Sequence, residues 1–528
     1  FKNLLGTRVH LFTHQVDTIV RALSENPCRL MLADEVGLGK TIEALAIIKG
    51  MLDKRPKLRS LIIVPETLIY QWQTEISFKF WQDAPIWGVD EIDDAQMLLV
   101  ASNQLAKDYD DISELCKWDM CVVDETHKLL CNDELYDVVL NLCKSTDNIL
   151  LLSATPILHR EQEYCKLLTL LNPVRFENMP SQVFSNLLNK QKNIQDIVFN
   201  LMRDLPDYVE YNFHDDFIDG LQQINEEIND DKLKELIGNI DANADDKGLS
   251  QVKLILSYIA EFYQIERGII RHRRVEIASA NIKRKLIDIA YDMVGSDVGF
   301  YEENCYNAVL DLADELSTKS NNTNVQLIKN LLAAVSSSPY AVFEVLDKYK
   351  RELNDFSIDS VVSNAGNWKK AYDTEIERIF EVTDDIDNFY CKFSKIIDYI
   401  DQEDVECEKK FLIFTGFVST AIKLEECFKL FFGEESTCSF HSGKTPEEMQ
   451  DAATLFQNTD EFRFMICDES GGEGRNFQVA DYIINVDLPW SPATLEQRIG
   501  RLDRIGRQSG KDVVSIVVHS KNTVEYAA

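Results

Sequence analysis

The segment Met31–Ala44, MLADEVGLGKTIEA, has the residue types of a loop that holds the phosphates of a nucleotide. Two glycines allow a tight turn, Lys40 supplies an ammonium group for phosphate oxygens, and Thr41 supplies a hydroxyl for Mg²⁺. The apolar run before the turn predicts a strand, and the residues after it predict a helix whose N-terminus favours anions. The common pattern G-x-x-x-x-G-K-[ST] is not met, because Asp34 stands where the first glycine belongs. The segment therefore predicts a phosphate loop with one substitution, which is accommodated if the Asp34 backbone avoids positive φ.

A second motif, MCVVDETH at Met120–His127, fits the same chemistry. Asp124 ends an apolar run typical of a buried strand, where its carboxylate can bind Mg²⁺ directly or through water. Glu125, the next residue, can orient or activate an attacking water. Two solvated acids after a strand are common, but their position after a phosphate loop indicates a site of nucleotide hydrolysis.

The segment Ile466–Arg507 carries a third group of candidates, which are arginines. The pattern Q-x-x-G-R-x-x-R places Gln497, Arg501 and Arg504 close together. Charge that builds on a transferred phosphoryl group requires guanidinium groups, which the opposite side of a cleft can supply. The spacing of the two arginines predicts that both lie on one face of a helix and point into the cleft.

Short apolar runs followed by polar turns must position these groups. Such runs, separated by helical stretches, are typical of buried parallel strands joined by crossover helices. The sequence therefore predicts an α/β fold of two lobes with parallel sheets, joined and interrupted by helical insertions. The predicted strands are Arg29–Ala33, Ser60–Val64, Met97–Ala101, Met120–Asp124 and Asn148–Thr155 in a first block, and Lys410–Gly416, Cys438–Gly443, Phe462–Asp468, Tyr482–Pro489 and Val513–Val518 in a second.

Composition narrows the class of protein. The formal charge of the 528 residues is −34, which taken alone argues against nucleic-acid binding. The charge is uneven, since Leu205–Ser250 contains 13 Asp and Glu against 3 Lys, whereas Arg271–Arg274 reads RHRR. The 12 cysteines include no C-x-x-C pair, which argues against a zinc site and a disulfide framework and favours a reducing cytosol. No apolar run approaches the length of a membrane span, and the start without Met leads us to expect a piece of a longer protein.

In this order, ADEVGLGKT, DETH and SATP resemble the first lobe of a superfamily-two helicase-like ATPase. The Asp-for-Gly form of the loop is the one seen in the Swi/Snf-type ATPases, and the chain looks closest to their RapA-like bacterial branch. GGEGRNFQ, DLPW and QRIGRLDRIGR are similar to motifs of the second lobe, in family order. Thr126 replaces a usual Ala, Arg475 a usual aliphatic residue and Phe477 a usual Leu.

The resemblance implies ATP and Mg²⁺ as cofactors and assigns residues to each role. The implied catalytic residues are Lys40, Asp124, Glu125, Gln497, Arg501 and Arg504. The implied ATP-binding residues are Gln15, which would read the adenine, and Asp34, Glu35, Val36, Gly37, Leu38, Gly39, Lys40, Thr41 and Gly474, with Thr41 and Asp124 for Mg²⁺. The candidate nucleic-acid contacts are Ser153, Thr155, Arg271, Arg273, Arg274 and Ser470.

The same resemblance suggests domain boundaries. Residues 1–176 would form a first RecA-like lobe with the phosphate loop and the acidic pair. Residues 177–300 would form a helical, acidic insertion that returns to this lobe, and residues 301–408 a helical linker or protrusion that enters the next. Residues 409–528 would form a second RecA-like lobe, truncated, that carries the arginines.

The implied function is an ATP-dependent motor that moves on double-stranded DNA in the bacterial cytoplasm and remodels what is bound there. Transcription recycling, repair and phage defence all use such motors. One alternative is a strand-separating helicase on DNA or RNA, and another is an ATP-gated switch with little DNA motion, which the acidity favours. The stretch Leu205–Ser250 would be a family-specific insertion, an arm for a protein partner, or a DNA mimic that restrains the enzyme.

Overall fold

The structure is a computed structural model that describes residues 7–9, 11–92, 95–153, 161–205, 214–241, 246–262, 268–274, 283–293, 296–318, 322–381, 391–404, 408–472, 476–504, 507, 512–521 and 523–527. Within these ranges the strands form two sheets of six strands each. All strand pairs are parallel. The predicted α/β fold with two parallel-sheet lobes is therefore confirmed.

The first sheet consists of β1 (Arg29–Leu32), β2 (Ser60–Val64), β3 (Met97–Ala101), β4 (Met120–Val123), β5 (Asn148–Leu152) and β6 (Ile269–Ile270), in the spatial order β3-β2-β4-β5-β1-β6. Their residues are almost all buried, because helices cover both faces of the sheet and leave no face for water. The carboxyl ends of β1 and β4 lie at one edge with β5 between them, which brings the two predicted motifs together.

Helices on the two faces of this sheet create two apolar cores. One core contains Ile19, Ile47 and Trp72, and the other contains Val139 and Leu167. These elements and the strands above form the first lobe. Its helices are α1 (Thr13–Ser24), α2 (Lys40–Lys54), α3 (Ile69–Phe80), α4 (Ser102–Leu105), α5 (Tyr109–Leu115), α6 (Asp133–Ser145), α7 (Glu161–Leu171) and α8 (Pro173–Phe176), with 3₁₀ turns at Glu66–Leu68 and Thr126–Cys131.

A helical arm follows, built from α9 (Ser181–Asp204), α10 (His214–Ile228), α11 (Asp231–Gly238) and α12 (Asp246–Phe262). It has its own apolar cluster, in which Phe217 and Leu221 are buried at helical spacing. The acidic stretch therefore forms amphipathic helices over its described residues, with the acids on the outer face. After the arm the chain returns to the first sheet, since Met31 of β1 is paired with Ile269 of β6.

The second sheet consists of β7 (Arg284–Tyr291), β8 (Phe411–Phe414), β9 (Thr437–Phe440), β10 (Phe464–Cys467), β11 (Tyr482–Asn485) and β12 (Val513–Ser520), in the spatial order β7-β12-β11-β8-β10-β9. The second lobe adds helices that pack on this sheet and on each other. They are α13 (Asp297–Thr318), α14 (Asn322–Ser337), α15 (Pro339–Lys348), α16 (Asp359–Glu381), α17 (Lys392–Glu403), α18 (Val418–Phe432), α19 (Pro446–Asn458), α20 (Pro492–Ile499) and α21 (Val524–Ala527), with 3₁₀ turns at Glu434–Ser436 and Glu469–Gly472.

The boundary predicted at residue 300 does not coincide with the boundary between the sheets. β7 lies before it and pairs along its length with β12. The strand was missed because it lies at the edge of its sheet and is largely solvent-exposed, so Arg284, Lys285 and Asp288 interrupt its apolar pattern. None of the helices in the described part of the chain is long and apolar enough to cross a membrane.

Candidate active site between the lobes

The phosphate loop, Ala33–Gly39, connects β1 to α2 with the geometry that the sequence predicts. Gly37 has φ of 84° and Gly39 has φ of 95°, a left-handed conformation that glycine adopts without strain. A Cβ at Gly37 would collide with Arg274 and with the Asp503 carbonyl, and one at Gly39 with Gln15. No side chain caps α2, whose first residue is Lys40. The loop therefore combines close-packed glycines with an uncapped helix N-terminus, the arrangement that receives anions.

Asp34, the residue in place of the first glycine, directs its side chain toward His272, which lies in the segment after β6. Its carboxylate is fully buried. It accepts a hydrogen bond from the His272 backbone N–H at 2.7 Å, and His272 Nδ1 lies 3.0 Å from the same oxygen. Asp34 is not among the residues with positive φ, as the sequence argument required. The substitution thus fixes the loop to the segment that follows β6.

Lys40 begins α2 and lies among carboxylates. Its Nζ donates to the Asp34 backbone carbonyl at 2.7 Å. Burial lowers the pKa of Lys40, while Glu125, Asp34 and Asp124 oppose this shift. Thr41 follows in the first turn of α2, at the position from which a hydroxyl reaches Mg²⁺ in phosphate loops.

Gln15, which the resemblance assigns to adenine, braces the loop. Its Nε2 donates to the Leu38 carbonyl at 2.9 Å, and its Oε1 accepts from the Phe12 N–H at 3.0 Å. Glu35, also in the loop, accepts a hydrogen bond from the Arg274 backbone N–H at 3.0 Å. The contact of Gln15 with adenine remains a prediction.

Asp124 and Glu125 follow β4 directly. Asp124 Oδ2 accepts a hydrogen bond from Trp72 Nε1 at 2.9 Å, and Oδ1 accepts from the Glu125 N–H at 2.9 Å. Burial, with the neighbouring charge of Glu125, raises the pKa of Asp124 to about 7. A cation at this carboxylate would remove that electrostatic cost, which is consistent with the predicted Mg²⁺ ligand.

Glu125 has a backbone conformation that is uncommon for a side chain of its size. Its φ of 47° lies in the left-handed region, and its side chain is 8% exposed. Such strain is tolerated where the surroundings fix the backbone. Thr126 does so, because its Oγ1 donates to the carbonyls of Val123 and Leu152 at the ends of β4 and β5. The Thr that replaces the family's Ala thus ties the acidic motif to two strands.

The arginines of the second lobe lie after α20, not within it. The helix ends at Ile499, and Gly500 packs so closely on Val36 that a Cβ would collide with it. The Arg501 carbonyl then accepts the Phe477 N–H at 3.1 Å, which draws the backbone out of the helix. The prediction that Arg501 and Arg504 share a helix face is therefore wrong, because both follow the end of the helix, in the arginine segment Gly500–Arg504.

The arginine segment nevertheless faces the phosphate loop. A Cβ at Gly37 would lie 3.3 Å from Arg504 Cγ. Burial, and the positive charge of Arg501, lower the pKa of Arg504 to about 9, which leaves it protonated at neutral pH. Arg501 is 3% exposed, and its Nε donates to the Gln497 carbonyl at 3.1 Å.

Gln497 itself lines a groove between the lobes. The groove has a volume of about 550 Å³, with His127 from the first lobe on one side and Asp487, Trp490 and Gln497 from the second on the other. Phe477, the residue in place of a usual Leu, is fully buried in an apolar core of the second lobe.

An ion cluster joins the two lobes at the same place. The Arg274 guanidinium donates to the Val36 carbonyl at 2.9 Å and also pairs with the Asp503 carboxylate and backbone carbonyl. Arg284 donates to the other Asp503 oxygen at 2.7 Å and to Glu496 at 2.9 Å. The phosphate loop and the arginine segment are therefore bridged by Arg274.

The candidate nucleic-acid contacts are distributed unevenly. Arg271 and Arg273 are exposed, whereas Arg274 is 8% exposed and lies in the cleft. Ser153 is fully buried at the end of β5. Thr155 and Gly474 lie outside the described residues, as does the side chain of Ser470. Nucleic-acid contacts at these positions remain predictions.

The residues present fit ATP and Mg²⁺. Gly37 and Gly39 give the phosphate loop its tight turn, Lys40 supplies a cation, and Asp124 supplies a buried carboxylate. Sequence reasoning missed three supporting residues, Trp72, His272 and Asp503. Asp503 stands between Arg501 and Arg504 in the sequence, but only the fold shows that Asp503 contacts Arg274 and that Trp72 contacts Asp124.

The fold has two α/β lobes with parallel sheets, and it brings a phosphate loop and arginines to one cleft. This arrangement is typical of a helicase-like ATPase. Residues 14–209 match the SNF2-related domain, and residues 391–506 match the helicase conserved C-terminal domain. The chain thus contains an SNF2-related domain and a helicase conserved C-terminal domain, and these two domains indicate a helicase-like ATPase.

Relatives are found among the RNA polymerase-associated proteins RapA. The chain is 28% identical to RapA of Vibrio parahaemolyticus over 97% of this chain and 48% of the relative, and 27% identical to RapA of Erwinia tasmaniensis over 96% and 47%. The chain spans about half the length of these relatives. The Sulfolobus solfataricus SWI2/SNF2 ATPase core in complex with dsDNA aligns with a TM-score of 0.36 at 15% identity, covering 98% of this chain and 90% of that one.

Proposed function

We propose that the chain hydrolyses ATP in the cleft between its lobes and uses the cycle to move along double-stranded DNA and remodel what is bound there. The observation that carries the proposal is the contact of Gly37 in the phosphate loop with Arg504 and Asp503 of the opposite lobe. Hydrolysis in such an arrangement depends on closure of the lobes, because each lobe holds only part of the catalytic group.

Each side chain has a defined part in this proposal. Lys40 and the backbone N–H groups of the phosphate loop bind and orient the phosphates. Thr41 and Asp124 would hold Mg²⁺, which when bound neutralises charge on the phosphate oxygens. Glu125 orients the attacking water, and Arg501 and Arg504 stabilise the charge that builds on the transferred group.

Trp72 acts through Asp124. Its indole N–H fixes one carboxylate oxygen at 2.9 Å, and the ring itself is 1% exposed. This hydrogen bond orients the carboxylate as a metal ligand, as outer hydrogen bonds to metal ligands commonly do.

Similarity to RNA polymerase-associated relatives supports RNA polymerase as a partner of the whole protein. Co-purification of the chain with a bacterial core RNA polymerase, with and without the helical arm residues 181–262, would test this. Retention of polymerase by the full chain supports the partner, and no retention at physiological salt contradicts it.

The experiment that tests the function is ATP hydrolysis by the chain alone and with duplex DNA, single-stranded DNA or RNA, at low and moderate salt. Glu125→Gln is the control for contaminating ATPases. Duplex DNA should stimulate hydrolysis strongly, and the effect should fall with salt because the contacts go mainly to phosphates.

Other outcomes identify the alternatives. Stimulation by single strands alone would replace the translocase with a strand-separating helicase. No stimulation by any nucleic acid would indicate the ATP-gated switch or restraint by the acidic stretch, and deletion of residues 205–250 distinguishes these two. Hydrolysis that persists at the wild-type rate in Glu125→Gln would contradict the site itself.

A further inference from the structure

A buried polar cluster lies next to the phosphate loop and involves three elements. It consists of His14 in α1, Asp34 after β1 and Glu43 in α2, which are 6%, 0% and 0% exposed. One imidazole nitrogen and one oxygen from each carboxylate lie within 4.8 Å of one another. Three groups of this kind at such separations can bind a single ion.

The cluster is not satisfied by the protein. Within the described part of the chain, His14 Nδ1 and both carboxylate oxygens of Glu43 are buried without a hydrogen-bond partner. Leaving a buried carboxylate uncompensated is costly, so a group of opposite charge is expected beside it. The nearby Lys40 ammonium opposes the rise in the pKa of Glu43 that burial causes, but its Nζ donates to the backbone carbonyl of Asp34 and leaves both Glu43 oxygens without a donor.

Neighbouring groups orient two of the three side chains. His14 Nε2 lies 3.2 Å from the Leu38 carbonyl, so a proton on Nε2 is donated there and the lone pair of Nδ1 is free. His272 holds Asp34 through its backbone N–H at 2.7 Å and its Nδ1 at 3.0 Å. Imidazole and carboxylate ligands of metal ions are commonly supported by such outer hydrogen bonds.

We propose that His14, Asp34 and Glu43 bind one divalent transition-metal ion of the Zn²⁺ class, which ties α1 and α2 to the phosphate loop. One imidazole and two carboxylates are ligands that such ions accept, and a water molecule would complete the coordination. The site is separate from the Mg²⁺ position assigned to Thr41 and Asp124, and it does not depend on the proposed function.

The test uses the full chain without a polyhistidine tag, stripped of metal by a chelator and passed through a desalting column. Zn²⁺ is added, unbound metal is removed, and metal per chain is measured by plasma mass spectrometry. Co²⁺ is the spectroscopic probe, since ligation by nitrogen and oxygen gives visible d–d bands without the strong thiolate band that cysteine ligation produces. Variants are Glu43→Gln and His14→Gln, and Asp124→Asn is the matched control for a carboxylate on the Mg²⁺ side.

The wild type should retain one Zn²⁺ per chain, and its melting temperature should rise when Zn²⁺ is restored. Glu43→Gln and His14→Gln should lose about tenfold or more in affinity, whereas Asp124→Asn should retain the metal. Three results would overturn the site. They are a wild type without stoichiometric metal, cluster variants that retain as much metal as the wild type, and a Co²⁺ spectrum of the thiolate type. A different result would replace the ion with a proton shared by the carboxyl groups of Asp34 and Glu43. In that case Zn²⁺ would not raise the melting temperature of the metal-free wild type, and Glu43→Gln would melt at a higher temperature than the wild type.

Discussion

Arg274 of the first lobe and Asp503 of the second form a buried ion pair that spans the cleft. The Asp503 side chain is 2% exposed and that of Arg274 is 10% exposed. The same guanidinium donates to the Val36 carbonyl, so one side chain connects the arginine segment to the phosphate loop. This bridge makes the closed arrangement of the lobes testable.

Arg274→Ala and Asp503→Asn should each weaken the interface between the lobes. Removing one partner of a buried pair costs about 3–5 kcal/mol, because the other charge is left uncompensated. The double variant should cost less than the sum of the two, as measured by urea unfolding in a double-mutant cycle. Arg284→Ala, at the more exposed side of Asp503, should cost less; additive losses would show that the pair is not energetically coupled.

Lys40→Ala should abolish ATP turnover while the fold stays intact. The substitution removes the cation of the phosphate loop but leaves the glycines and α2 in place. Turnover is measured at saturating ATP, with circular dichroism as the check on folding. Lys49→Ala on the same helix is the matched control and should keep wild-type turnover; wild-type rates in Lys40→Ala would contradict the phosphate loop.

Arg504→Ala should keep ATP binding and lose hydrolysis. An arginine that stabilises transition-state charge contributes about 10³–10⁵-fold to turnover, and little to ground-state binding. Equilibrium binding of a fluorescent ATP analogue and single-turnover hydrolysis separate the two. Arg504→Lys retains a positive charge but lacks the planar guanidinium group, so it should restore little of the hydrolysis rate. A collapse of affinity with unchanged turnover per bound ATP is the opposite result and would remove Arg504 from the catalytic group.

Trp72→Phe should raise the Mg²⁺ concentration needed for half-maximal turnover. The ring still fills the core, but Asp124 loses the indole N–H that orients it. Loss of an outer hydrogen bond to a metal ligand typically costs about 10–100-fold in metal affinity. A Mg²⁺ titration at saturating ATP measures this, and an unchanged midpoint would show that the hydrogen bond does not orient the ligand. Trp118→Phe, whose indole bonds a carbonyl elsewhere in the lobe, is the control.

Glu302→Gln should stabilise the chain above neutral pH. Burial raises the pKa of Glu302 from 4.5 to about 7, with Tyr291 OH donating to its carboxylate at 2.5 Å. A raised folded-state pKa means that the folded chain binds the extra proton between these values, so stability falls as pH rises from about 4.5 to about 7. The stability of the variant should not fall over this pH range, and its free energy of unfolding at pH 8 should exceed that of the wild type by up to about 3 kcal/mol. The exposed neighbour Glu303→Gln should show the wild-type pH profile; the same profile in both variants would contradict the assignment.

The sequence by itself determined the two blocks of buried parallel strands, since short continuous apolar runs with turn residues at their ends are typical of such strands. It also determined the order of the chemical motifs, because Lys40, Asp124 and the arginines stand in fixed local contexts. It predicted Gly37 and Gly39 for the same reason, since a turn with positive φ is a local demand.

Only the tertiary structure decided how distant segments meet. The edge strand β7 was missed because exposed charges break its apolar period. The arginine segment leaves its helix where the Arg501 carbonyl accepts a hydrogen bond from the distant Phe477 N–H. The bridge from Arg274 to Asp503 joins residues 229 positions apart. A local pattern carries no information about such a pair, because its partner is chosen by the way in which two lobes close and exclude water.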